Sequence, residues 1–156
     1  MAIDGESRVL WGLYGTIPGD MQDSGRAEHY AVRAILPLCL PGVVLLTDHF
    51  NIVEGVDKGR AWCEDPSRKY CDLWCQIWRM IDEIGGVGSQ GVRFKYVPAH
   101  TKEREGEAIS TRWARIGNKW ADALANRGRK LAEGAAYWKI VETCKTVLEG
   151  VQAVLY

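Results

Sequence analysis

Apolar and polar positions alternate in blocks along the chain, and the period changes from block to block. Arg8 to Ile17 (RVLWGLYGTI) is rich in aromatic and branched residues and reads as a strand. Asp4-Gly5 before it is a hairpin-turn signal, and Pro18-Gly19 ends the run. From Ser24, a candidate N-cap, Ala27, Tyr30, Ala31, Ala34 and Ile35 recur at helical spacing, and Pro37 and Pro41-Gly42 close that helix. Val43-Val44-Leu45-Leu46-Thr47 is a short continuous apolar run before a polar turn, the pattern of a buried and often parallel strand. The charged stretch from Asp57 to Lys69 reads as a linker. Between Tyr70 and Ile84, Leu73, Trp74, Ile77, Trp78 and Ile81 mark one face of a strong helix, which Gly85-Gly86 and Gly88 terminate. Val92 to Val97 alternates with Arg93 and Lys95 and predicts another strand. Residues 101–111 are polar and predict a loop. Trp113 to Leu131 predicts a helix with Ile116, Trp120, Ala123 and Leu124 on one face, and Tyr137 to Leu155 a last amphipathic helix. The order β, α, β, α, β, α, α is an α/β pattern, a mixed sheet with helices on its faces, and such sheets bind ligands at strand ends.

Composition narrows the class. A chain of 156 residues, 47% hydrophobic and 26% charged, has enough apolar content for one folded domain and is not a disordered tail. Its longest apolar runs are too short to span a bilayer, so no membrane partner is expected. No basic-then-apolar signal segment opens the chain, and the five cysteines are an odd count. Both point to a reducing, intracellular setting, cytoplasm or nucleus. Cys63, Cys71 and Cys75 lack a C-x-x-C pair and a nearby His, so buried thiols are favoured over zinc. The net charge of zero conceals an asymmetry. From Gln90 to Lys130 ten basic residues face four acidic ones, so this segment carries +6 and the remainder −6. That division suits one anionic partner face, such as nucleic acid, beside the plainer reading of an ordinary solvated surface.

Three acids stand where chemistry is possible: Glu28 in the opening of the first helix, Asp48 at the end of the LLTDH strand, and Asp122 within GNKWADALANRG. Singly, each has a plain role, as a helix-start charge, a cap for the next helix and a surface acid. Together, on a β-α-β frame, they suggest a carboxylate cage for Mg²⁺, whose preference is for hard oxygen donors. Two such ions can activate water and stabilise the leaving oxygen in phosphodiester cleavage.

These residues resemble a family. RAEHYAVRAIL (Arg26 to Leu36) is similar to the R-x-E helix start of ribonuclease H, type 1 and retroelement branch, and LLTDHFNIVEGV (Leu45 to Val56) to its T-D strand end and following helix. Asp72-Leu73-Trp74 resembles a D-L-W on a later helix. VPAH (Val97 to His100) and Gly117-Asn118-x-x-Ala121-Asp122-x-Leu124-Ala125 resemble the closing strand and helix. The resemblance spans roughly residues 8 to 132, with 133–156 as a C-terminal helical extension. It implies a ribonuclease H-like mixed sheet with flanking helices and hydrolysis of the RNA strand of RNA–DNA hybrids. It implies Glu28, Asp48 and Asp122 as catalytic metal ligands for Mg²⁺, with Mn²⁺ as substitute. Arg26, Asn118 and His100 are implied as substrate contacts. The implied setting is a fragment of a reverse-transcriptase polyprotein, whose remainder is a candidate partner.

The family's fourth acid sits on its first strand, in a D-G-S type motif, and the only candidate here is Asp4. Asp4 and Glu28 lie closer together than the family's hairpin requires. The spacing therefore favours an alignment with Asp4-Gly5 as the turn between the second and third strands, in which the first strand and its aspartate are missing. A shortened hairpin with Asp4 in the site is the alternative. The long run between His100 and Asp122 is similar to retroelement members with an insertion there. His49 and Phe50 replace the small polar residue and Gln that often follow the strand-end Asp. A catalytically incomplete module that binds hybrid or a partner chain is the rival reading. Resolvases and exonucleases of the same superfamily lack this motif order.

Overall fold

The computed structural model describes residues 2–3, 9–18, 23–99, 101–102 and 105–133. In chain order the elements are β1 (Ala2–Ile3), β2 (Val9–Trp11), α1 (Ser24–Ile35), a 3₁₀ turn (Leu36–Leu38), β3 (Val43–Thr47), α2 (Phe50–Lys58), α3 (Arg60–Cys63), α4 (Cys71–Glu83), β4 (Val92–Tyr96) and α5 (Ile109–Glu133). The chain is mixed α/β, and it divides into two compact units, Met1–Gln22 with Ala99–Tyr156, and Asp23–Pro98. The helix expected over Tyr137 to Leu155 lies outside the described residues, as do Asp4-Gly5 and His100.

In the Asp23–Pro98 unit, α1 begins one residue earlier than Ser24 suggests. Asp23 is the N-cap, its carboxylate accepting the Arg26 backbone N–H at 2.9 Å. Pro37 converts the helix end into the 3₁₀ turn, and Pro41-Gly42 leads into β3. β3 and β4 pair in parallel, Val43 opposite Val92 through Thr47 opposite Tyr96. One face of this pair, with Val43, Leu45, Val92 and Phe94, packs on a core of Val32, Leu36, Ile52, Val56, Trp74, Ile77, Trp78 and Ile81. The other face, with Val44, Leu46, Arg93 and Lys95, is exposed. The apolar stripe expected of α4 is the one buried. After it, Gly85 and Gly86 take positive φ (107° and 82°), and the Gly86 N–H closes on the Ile81 carbonyl at 2.8 Å.

The stretch from Asp57 to Lys69 is not a plain linker. α2 continues to Lys58, Gly59 turns the chain at φ 87°, and α3 follows. The turn of helix is held because its apolar residue is buried: the Cys63 thiol donates to the Gly55 carbonyl at 3.1 Å. The charges that suggested a linker sit on the outer side, as the Lys58–Glu54 and Arg60–Glu64 pairs at i, i+4.

In the other unit, β1 and β2 pair antiparallel, Ala2 opposite Trp11 and Ile3 opposite Val9. The strand expected over Arg8 to Ile17 stops at Trp11. Gly12 and Gly15 weaken an extended run, and a Cβ at Gly12 would stand 2.8 Å from Leu124 Cδ1 of α5. The Arg127 guanidinium lies 5.1 Å above the Tyr14 ring. α5 begins at Ile109, inside the expected loop, with Thr111 and Arg112 N–H bonded to the Ala108 carbonyl. An Arg115–Glu107 pair at 2.7 Å secures its start.

Candidate active site

Glu28 lies one turn into α1, not in its first turn, which holds no acid. It shares the buried side of the helix with Ala31, Val32 and Ile35 and is only 3% exposed. It is one of three buried polar side chains among the described residues, with His29 and Thr47. Asp48 follows the last residue of β3 and is half-buried. It does not cap the next helix. His49 holds the N-cap position of α2, without a side-chain cap bond, and the Thr47 hydroxyl accepts the His49 backbone N–H at 3.1 Å.

The residues that follow the two acids meet. His29 and His49 contact edge to face, with 5.8 Å between ring centroids, so the Glu28 turn of α1 and the Asp48 end of β3 are neighbours. His29 is 2% exposed, its Nδ1–H donates to the Gly25 carbonyl at 2.7 Å, and its ring stands edge-on to Trp74. Desolvation pushes its pKa down to about 4, against the smaller opposing effect of the Gly25 bond. Desolvation also lowers His49, with Asp48 opposing. Both imidazoles are therefore neutral at pH 7. His49 Nε2 is buried and has no hydrogen-bond partner among the described residues.

Arg26 reaches Asp72 rather than open solvent. Nη1 donates to Oδ1 at 3.2 Å and Nη2 to Oδ2 at 2.7 Å, a bidentate pair that joins the R-x-E and D-L-W segments. The Asp72 bond raises the Arg26 pKa and lowers that of Asp72. Tyr70, just before α4, has left-handed backbone (φ 64°, ψ 24°), which costs a β-carbon residue on the order of 1–2 kcal/mol. Its hydroxyl donates to Asp23, and its ring covers Gly25, where a Cβ would lie 2.6 Å from the hydroxyl oxygen. The Tyr70 bond, then the Arg26 N–H, hold Asp23 down to about 2. Asp23, His29 and Tyr70 are not marked out by the sequence pattern. Asp23 competes with Ser24 as a capping type, but nothing local announces a left-handed Tyr.

Asp122 and Asn118 sit one turn apart on α5, both half-buried. Of the expected α5 face, Ile116 and Leu124 are half-buried, as are Gly117, Asn118, Ala121, Asp122 and Ala125, and Gly128 is buried. Trp120 is 51% exposed, and Ala123 is exposed with it.

The hard carboxylate oxygens of Glu28 and Asp48 fit Mg²⁺, which is commonly held by one or two carboxylates and keeps water or substrate phosphate in its other positions. Among the described residues, no three His, Cys, Asp or Glu side chains gather into a group that could hold a metal ion. No described helix is long and apolar enough to cross a membrane. Compared with protein-family models, curated proteins and solved structures, the chain matches none.

Proposed function

We propose that this chain is a ribonuclease H-like hydrolase acting on the RNA strand of RNA–DNA hybrids, with Glu28 and Asp48 as ligands of Mg²⁺. The observation that carries the reading is the meeting of the Glu28 turn with the Asp48 strand end, through His29 and His49, at the carboxyl end of a parallel strand pair. The ordered R-x-E, T-D, D-L-W and N-x-x-x-D segments add to it.

Bound metal would supply a water of lowered pKa and charge stabilisation at the phosphate. The chain's own residues do the rest. Glu28, fixed on a capped helix, holds its carboxylate without the entropy cost of ordering a surface side chain. Asp48 is carried by a strand end whose Thr47 carbonyl accepts the Val97 N–H at 2.9 Å. The Arg26–Asp72 pair orients the start of α1, a positioning role rather than a free substrate contact. The basic segment from Gln90 to Lys130 supplies phosphate contacts that locate a duplex without reading its sequence.

The test is cleavage of a labelled RNA–DNA hybrid with Mg²⁺ and then Mn²⁺, beside Asp48→Asn and Glu28→Gln. Each substitution is expected to lower the rate at least a hundredfold while hybrid binding persists and weakens with salt. Full activity in Asp48→Asn would sink the assignment. A second reading is a module that binds hybrid without cutting it, in line with the alignment in which the family's first aspartate is missing. Salt-dependent binding by the folded parent chain without cleavage in either metal selects it.

A further inference from the structure

Tyr70 starts α4 in a conformation that helix-starting residues avoid. Among the described residues it alone combines a side chain with positive φ. Bulky residues rarely enter that region. A helix start ordinarily takes Ser, Thr, Asp or Asn in extended backbone, with the side chain closing the first turn. Tyr70 meets neither expectation. Its side chain makes no cap bond to α4, while its carbonyl accepts the Leu73 and Trp74 N–H groups at 3.0 and 2.9 Å. Its side chain is committed to α1 instead. The hydroxyl donates to Asp23, the ring covers Gly25, and the ring tilts against His29 with 4.8 Å between centroids. Lys69 joins it, with Nζ 3.4 Å from Asp23 Oδ2 and 4.8 Å from the centre of the Tyr70 ring. All these contacts fall between Asp23 and His29, on the turns of α1 that carry Glu28. His29 passes the contact on to His49, the neighbour of Asp48. A Gly at position 70 would take the same backbone without strain. The strain is therefore the cost of keeping a ring there, and such strain gathers beside functional groups.

We propose that Tyr70 is a positioning residue of the candidate site, its ring fixing the Glu28 turn of α1 against the Asp48 end of β3. The proposal rests on the reading of Glu28 and Asp48 as metal ligands given above. The hydroxyl secures the Asp23 cap, and the ring sets the place of the helix through Gly25 and His29. A shared ion needs both carboxylates at fixed positions, so a shift of α1 weakens its binding without unfolding the chain. Residues that orient metal ligands in this way change metal affinity by roughly 10–100-fold when they are altered. A residue that only adds stability does not.

The experiment compares Tyr70→Phe, Tyr70→Ala and Tyr70→Gly in the whole chain, at a temperature where the variants are folded. It reads the urea midpoint, the Mn²⁺ affinity by titration, and the His29–His49 ring contact as a proton nuclear Overhauser effect. Glu28→Gln marks which Mn²⁺ binding belongs to the site, and hybrid cleavage with Mg²⁺ is measured separately. Tyr70→Phe keeps the ring and is expected to hold Mn²⁺ within about threefold of the parent, with the His29–His49 contact intact. Tyr70→Ala and Tyr70→Gly are both expected to bind Mn²⁺ about tenfold more weakly and to lose that contact. Tyr70→Gly, free of strain, is expected to have the higher urea midpoint of the two. Affinity and stability thus move apart. Where Tyr70→Ala does not fold, Tyr70→Gly against Tyr70→Phe makes the same comparison. Mn²⁺ affinity that follows the urea midpoint, with Tyr70→Gly close to the parent, overturns the proposal and leaves Tyr70 a structural residue. So does a His29–His49 contact that survives loss of the ring. Glu28-dependent Mn²⁺ binding that weakens in Tyr70→Gly, without cleavage by the parent, removes the hydrolase reading and keeps the positioning role. Cleavage by the parent with Mn²⁺ affinity indifferent to Tyr70 does the reverse. A folded parent that binds no Mn²⁺ through Glu28 removes both.

Discussion

His29 is almost wholly enclosed, with Trp74 edge-on, Tyr70 tilted against it at 4.8 Å and its Nδ1–H committed to Gly25. A proton on this ring would be a charge in a poorly solvated place, which is why its pKa falls from 6.5 to about 4. The linkage to stability follows. Above pH 6.5 the ring is neutral in both folded and unfolded chains, and its contribution is complete. Between pH 6.5 and 4 the unfolded chain takes up a proton that the folded chain refuses, so stability falls with pH by a total on the order of 3 kcal/mol. Asp23, held down to about 2, keeps its contribution until the pH drops below the ordinary carboxylate value of 3.8 and loses it toward 2. Urea midpoints between pH 4 and 7 check this. The expected slope is positive and flattens in His29→Gln. An equal slope in that variant would remove His29 as its source. Of these residues, only Glu28 and Asp48 announce themselves in the sequence. Their neighbours His29 and Tyr70 acquire their character from burial and from a left-handed backbone, which residue type does not reveal.

At the scale of elements, legibility follows the agreement of volume with hydropathy. In α4, Leu73, Trp74, Ile77, Trp78 and Ile81 are large, apolar and periodic, and all are buried. In α5 the expected face is only half shielded: Ile116 and Leu124 are half-buried, while Trp120 and Ala123 are exposed. α2 shows the same logic in tight packing. A Cβ at Gly55 would lie 2.5 Å from Trp74 Cζ2 and 2.8 Å from Cη2, so the indole rests directly on the helix backbone. Gly55→Ala gains about 1 kcal/mol of helix propensity on an exposed site. Here it must displace a buried ring that also contacts His29, and overpacking of this kind costs roughly 1–3 kcal/mol. The expected net effect is a destabilisation of about 1–2 kcal/mol in equilibrium denaturation, with a change in Trp fluorescence of the folded state. A stabilised Gly55→Ala chain would mean that the ring yields without cost.

For the whole molecule, the α/β class is readable from apolar runs and turn residues, and the apolar run of β3 suggests a buried and often parallel strand. The division at Asp23 and Pro98 is not readable, because no composition shift marks it. Every residue of the main hydrophobic cluster, from Val32 to Val92, lies inside the Asp23–Pro98 unit, as do the Asp23 cap, the Arg26–Asp72 pair and the β3–β4 ladder. A fragment of residues 23–98 is therefore expected to unfold cooperatively on its own. Its stability is expected at about 3–5 kcal/mol, the range for a core of this size. The same fragment carries a liability. Among its described residues, β3 and β4 pair only with each other, and Val44 and Leu46 are exposed on the open face. Unpaired edges beside apolar side chains recruit further strands. Sedimentation of the fragment is expected to show association that grows with concentration and disappears in Val44→Thr/Leu46→Lys, while the thermal transition stays cooperative in both. A non-cooperative melt would deny the unit an independent core. A monomer at all concentrations would show that its two-stranded sheet is protected by something other than pairing.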